Sequence, residues 1–151
     1  MTEKTEQHRE FAIQCFNGVW DLLEKSDRSK SDDIEMIHMA HASRYHWGQV
    51  GSPLEFARGD WQISRGYAIL GFGVMAFKYA KNCLDLCEKH DLGDFDLAFA
   101  YEALARASAV SGDIAKGKGY LSLAESAGGD IKKEEDRKYF QSELVSISEM
   151  L

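Results

Sequence analysis

Apolar residues recur at intervals of three and four along almost the whole chain, and a single proline interrupts it. That period is the signature of amphipathic helices and predicts an all-α fold without strands. The first helix is expected from about Glu3 to Lys25, with Phe11, Cys15, Val19, Leu22 and Leu23 as its apolar stripe and the polar linker SDRSKS at its end. The second is expected from Asp32 to Trp47, with Ser31 as N-cap and Asp32 and Asp33 at the positive end of the helix dipole. Gly48 to Gly51 breaks it, and SPLE restarts the chain: Ser52 suits an N-cap, Pro53 the first helical position and Glu55 the third. The third helix then runs to about Leu70. Gly71 and Gly73 mark the next turn, and a fourth helix carries Met75, Ala76, Tyr79, Ala80, Cys83, Leu84 and Leu86 to about His90. Three further helices are expected over 94–111, 113–127 and 133–150.

Comparing the chain with itself shows a fixed repeat offset, of the order expected for stacked helical hairpins. It aligns Trp20 with Trp61, Arg65 with Arg106, Gly71 with Gly112, and the trios Leu22, Ile63, Leu104 and His38, Tyr79, Tyr120. Small residues Ala42, Cys83 and Ala124 keep the same register, and the residues from Arg137 begin a fourth unit that stops after one helix. A lone helical hairpin cannot bury its apolar face, but stacked hairpins share a core, provided the last has a polar outer surface. The seventh segment fits that role, with an inward stripe of Tyr139, Phe140, Leu144, Ile147 and Met150 behind the charged stretch Lys132 to Lys138.

The third unit, AFAYEALARASAVSGDIAKGKGYLSLAESAG, resembles a tetratricopeptide repeat (TPR) through Tyr101, Leu104, Ala105, Ser108, Gly112, Asp113, Tyr120 and Ala124. The second follows with Ile63, Ser64, Tyr67, Gly71, Ala76, Tyr79 and Cys83; the first is weaker, with Lys30 in place of the turn glycine and Glu35 in place of a small residue. The offset is longer than the usual repeat of that family, as in long-helix variants of bacterial regulators. The chain also resembles a small bacterial TPR-like family through its HAS-x-YHW and ARG-x-WQ-x-SR signatures, to which no activity is attached. The resemblance implies one domain, a right-handed superhelix of three TPR-like hairpins (about 3–50, 52–92 and 94–128) and a C-terminal capping helix (about 132–150).

Composition narrows the function classes. With 25 acidic against 18 basic residues and a net charge of −7, the chain is a poor match for a phosphate-tracking nucleic-acid binder. No apolar run reaches the length of a membrane span and the N-terminus lacks a signal-like core, so a cytoplasmic protein away from membranes is expected. Cys15, Cys83 and Cys87 are expected to be reduced packing residues.

Arg58, Trp61 and Arg65 share one side of the third helix, being spaced i, i+3 and i+7. The resemblance implies that the second, fifth and ninth positions of each unit's first helix line a concave groove. These are Asn17, Trp20 and Glu24, then Arg58, Trp61 and Arg65, then Phe99, Glu102 and Arg106, with Phe140 and Glu143 added by the capping helix. Arginine forks bind carboxylates bidentately and tryptophans supply contact area at low entropic cost, which points to an acidic or C-terminal peptide segment as ligand. The competing reading is structural: Arg58, Arg65 and Arg106 pair with Glu24, Glu102 and Glu143, and the tryptophans fill the interior.

A second constellation is Glu35, His38 and His41 on the second helix, with His46 near its end. The spacing permits a mononuclear metal site or a small-molecule site shared with the arginine face, and packing is the alternative, since His38 stands in the register of Tyr79 and Tyr120. The chain has no G-x-S-x-G, P-loop or dinucleotide fingerprint and no evident acid/base pair, so a non-enzyme without cofactor is expected. Self-association, as a homodimer, is a third option.

Overall fold

The computed structural model describes residues 2–151, which form seven α-helices and no strand. These are α1 (Glu3–Glu24), α2 (Lys30–Val50), α3 (Pro53–Ile69), α4 (Gly73–Lys89), α5 (Asp94–Val110), α6 (Ile114–Gly129) and α7 (Glu134–Ser148). Helices α1 and α2, α3 and α4, and α5 and α6 pack as hairpins, and α7 lies against α5 and α6. The backbones of the odd-numbered helices also approach one another in succession, α1 on α3, α3 on α5 and α5 on α7, whereas among the described residues α2 meets α4, and α4 meets α6, only through long side chains such as His41 on Tyr79 and Phe77 on Tyr120. The row of hairpins therefore curves with the odd helices on its inner side.

Local chemistry sets the ends of the helices. Gly71 and Gly112, one repeat apart, both adopt left-handed backbone, with φ of 86° and 80°. Around them the same two bonds recur: Gly71 N–H to Ala68 O and Phe72 N–H to Tyr67 O, then Gly112 N–H to Ala109 O and Asp113 N–H to Ser108 O. This is the Schellman closure, which satisfies the last carbonyls of α3 and α5 and reverses the chain at the same point of two hairpins. At the restart, the N–H and hydroxyl of Ser52 both donate to the Glu55 carboxylate.

The first hairpin closes differently. Its N-cap is Ser29 rather than the expected Ser31, because Asp32 at the third helical position accepts from the Ser29 N–H while Ser29 Oγ accepts from the Asp32 N–H, each at 3.0 Å. Where the other hairpins have glycine, the Arg28 guanidinium caps α1, donating to the carbonyls of Leu22, Leu23 and Lys25 and pairing with Asp33. At its other end α2 runs through Gly48 to Val50, past the expected stop at Trp47, because the capping N–H of Gly51 reaches back to Trp47 O.

The main core gathers α3 to α7 around Ala57, Leu84, Leu104, Ile131, Phe140, Leu144 and Ile147, while Val19, Met36, Ala40 and Ile63 form a smaller cluster for the first hairpin. Helix α5, the most enclosed, buries Ala98, Ala100, Ala103, Ala105 and Ala107, whose small side chains let neighbouring helices approach closely. Two expected stripes are corrected. Phe11 is 49% exposed and Ala12 is buried in its place, because α1 is covered on one side only. Tyr139 and Met150 are likewise exposed, leaving Phe140, Leu144 and Ile147 to anchor α7. No helix of the described residues is long and apolar enough to cross a membrane.

Candidate functional site

One residue of each odd helix occupies the same place on the inner wall: Trp20, Trp61, Glu102 and Glu143, each one repeat after the last. Trp20 stacks on Trp61 at a ring separation of 5.7 Å. Trp61 Nε1–H donates to Glu102 Oε1 at 2.9 Å, and two arginines bridge Glu102 to Glu143. Arg65 reaches Glu102 at 3.5 Å and Glu143 at 2.8 Å; Arg106 reaches Glu102 at 2.8 Å and the Glu143 carbonyl at 3.2 Å. Two cations therefore face two carboxylates, and Glu102, with no exposed surface, accepts from three partners. Burial disfavours the charge on Arg65, but Glu102 and Glu143 outweigh it, so its pKa lies above the ordinary value.

The arginine pairing expected as the structural alternative holds for Arg65 and Arg106. Arg58 differs: its fork closes on Asp96 at 2.9 and 3.3 Å, not on Glu24, which is exposed and, among the described residues, takes part in no ion pair of the inner wall. Arg58 is also half exposed, whereas Arg65 and Arg106 are largely buried. Asn17 is exposed beyond the lining, and Phe140 is fully buried in the core rather than on the wall. Phe99 stands edge-on to Trp61 at 5.6 Å and to Phe140 at 4.8 Å, joining wall to core.

Between these side chains lies a cavity of about 430 Å³. Its walls are mainly aromatic, from Phe16, Trp20, Trp61, Phe95, Phe99 and Tyr139, with Cys83 and Ala57 between them. Its charged groups are Arg58, Asp96 and Asp136. Tyr139 has its phenol pKa raised, first by burial and then by the neighbouring Glu143, so it stays neutral. The cavity is thus bounded by α1, α3, α5 and α7, with α4 supplying Cys83.

Phe16, Phe95, Asp96, Asp136 and Tyr139 are not among the site residues expected from the family pattern. The register contains a signal for all of them but Asp96: Phe16, Ala57 and Tyr139 stand at one repeat position, directly before the expected second position, and Phe95 and Asp136 stand at another.

The histidines are engaged elsewhere. His41 Nε2 lies 2.9 Å from Tyr67 Oη and its ring packs edge-on to Tyr79; burial, followed by the nearby His38, holds its pKa below the ordinary value. His46 Nδ1 meets His8 Nδ1 at 2.8 Å on the far end of the first hairpin, so His46 does not join His38 and His41. Glu35, His38 and His41 gain no further ligand, and no group of three His, Cys, Asp or Glu side chains placed to hold a metal occurs among the described residues. The HAS-x-YHW and ARG-x-WQ-x-SR signatures meet at the junction of α2 and α3. There Arg44 pairs with buried Asp60 at 3.2 Å, Ser43 donates to Ala12 O, and Gln62 donates to Phe16 O.

Compared with protein-family models, curated proteins and solved structures, the chain matches none.

Proposed function

We propose that this protein is a TPR-like interaction module that holds a peptide segment of a partner protein on its inner face. The observation that carries the reading is the aromatic cavity at the convergence of α1, α3, α5 and α7, where every hairpin and the last helix contribute a wall. A concave, mostly apolar site with a few charged groups at fixed positions is the usual form of a recognition pocket, and 430 Å³ accommodates one large side chain with part of its neighbours. Trp20 and Tyr139, neither sealed in the core, supply rigid contact surface, the kind that dominates binding energy in interfaces.

The acidic segment suggested by the three arginines is the weaker form of this reading. Arg65 and Arg106 are spent on Glu102 and Glu143, and Arg58 is held by Asp96. Peptide display on the immobilised protein tests the module reading: binders should emerge whose retention is lost in Trp20→Ala and Tyr139→Ala while the variants keep a cooperative melt. If no binder emerges, or if those emerging ignore both substitutions, the groove is not the binding surface.

A further inference from the structure

The charges around the cavity bear on which side chain enters it. Of its three charged lining groups, Arg58 and Asp96 neutralise each other through a two-pronged hydrogen bond. Asp136, in the first turn of α7, forms no ion pair among the described residues and is only partly exposed. Among the described residues the lining thus holds one carboxylate without a cationic side-chain partner, eased only by the positive end of the α7 dipole, among six aromatic rings, on a chain whose net charge is −7. The next layer brings no spare cation from Arg65 or Arg106, since both are matched by Glu102 and Glu143.

An anionic side chain would have to share Arg58 with Asp96, which already neutralises it, and would stand beside two like charges, Asp96 and Asp136. A cationic side chain breaks nothing. It meets Asp136 and the electron-rich faces of aromatic rings, which attract ammonium and guanidinium groups most strongly when water is excluded.

We propose that the cavity takes the basic side chain, lysine or arginine, of a bound peptide, with Asp136 as the countercharge and Trp20, Phe95 and Tyr139 as the cage. This rests on the peptide-module reading and specifies its ligand. The experiment is a positional-scanning peptide array in which each position in turn carries Lys, Arg, Asp, Glu, Gln or Phe, probed with the native chain and with Asp136→Asn. The substitution is at a partly exposed residue without an ion pair among the described residues, and an unchanged melting temperature verifies that the fold is intact. The expected result is selection of Lys or Arg at one position, weakened roughly tenfold in Asp136→Asn, as loss of a short charge pair in a partly dry site produces, and displaced by tetramethylammonium chloride but not by sodium chloride at equal ionic strength. Selection of Asp or Glu, or of Phe alone, overturns the charge assignment while the peptide-module reading stands. Selection of a basic residue that survives Asp136→Asn, or resists tetramethylammonium, places the contact outside the cavity and also overturns it. An array that retains no peptide removes both readings together.

Discussion

The indole N–H of Trp61 donates to the Glu102 carboxylate across 2.9 Å, and the two residues stand at one and the same place in consecutive hairpins. The repeat has thus been used to exchange a ring for a charge: the inner wall is aromatic at Trp20 and Trp61 and ionic at Glu102 and Glu143. Because Glu102 has no exposed surface, its charge is tolerable only with all three donors in place.

Replacing Glu102 by Gln should therefore be costly although the shape is kept. The amide can still accept from Trp61, but Arg65 and Arg106 are left sharing Glu143 in a site with little water. Loss of one member of a buried ion cluster destabilises by about 3–5 kcal/mol. Urea denaturation of Glu102→Gln should show a loss in that range, and a loss below about 1 kcal/mol, the ceiling for solvent-exposed pairs, would mean that the arginines swing out to solvent.

The turn glycines give a sharper comparison. A Cβ at Gly71 or Gly112 would meet no atom within 4 Å, so the cost of alanine at either is conformational alone. Left-handed backbone costs a non-glycine residue about 1–2 kcal/mol, and with φ of 86° and 80° the two sites should lose nearly equal amounts. Guanidinium melts of Gly71→Ala and Gly112→Ala check this, and unequal losses would expose a difference in hairpin packing.

Much of this architecture is legible in the chain, because it depends on local rules. Spacing at three and four locates all seven helices, and the repeat offset pairs Gly71 with Gly112. What escapes depends on how helices meet. Phe11 reads as core from its spacing, but it lies at the edge of the α1–α2 seam, packed on the His46 ring and half exposed. Register assigns Arg58 to Glu24, yet its partner is Asp96, in the first turn of α5, a choice fixed by how the two helices are offset along their axes. The cavity is hidden for the same reason: its aromatic walls include positions adjacent to those that the family pattern marks.

Arg58 tests the charge assignment from the other side. Its ion pair with Asp96 is half exposed at the arginine, but the carboxylate is only 16% exposed, so losing the arginine should cost more than about 1 kcal/mol, the most that a fully exposed pair contributes. Arg58→Ala should melt below the native chain, still cooperatively, while releasing Asp96 into the cavity. Affinity for a basic peptide should then rise, and affinity for an acidic one should fall. Parallel titrations of the two peptides, with calorimetric melts of both proteins, test the pairing directly.

Asp60 gives the protein a pH dependence that can be isolated. The residue is 5% exposed, and burial raises its pKa from 3.8 to about 6 even though Arg44 pulls the other way. Between those values the folded chain binds more protons at this site than the unfolded chain does, so stability from Asp60 falls as pH rises and levels off above about 6. At about 1.36 kcal/mol per pKa unit, the full change is on the order of 3 kcal/mol. His41 works in the opposite sense, since its lowered pKa lets the unfolded chain take up a proton first as pH drops below 6.5. The two effects overlap in a simple melting series, but His41 is common to the native chain and to Asp60→Asn. The difference in unfolding free energy, native minus Asp60→Asn, should therefore decline from about pH 4 to about pH 6 and be flat from about pH 7 to about pH 8. Denaturant titrations at half-unit steps measure it, and a difference that rises with pH would mean that Arg44 outweighs burial and holds Asp60 ionised throughout.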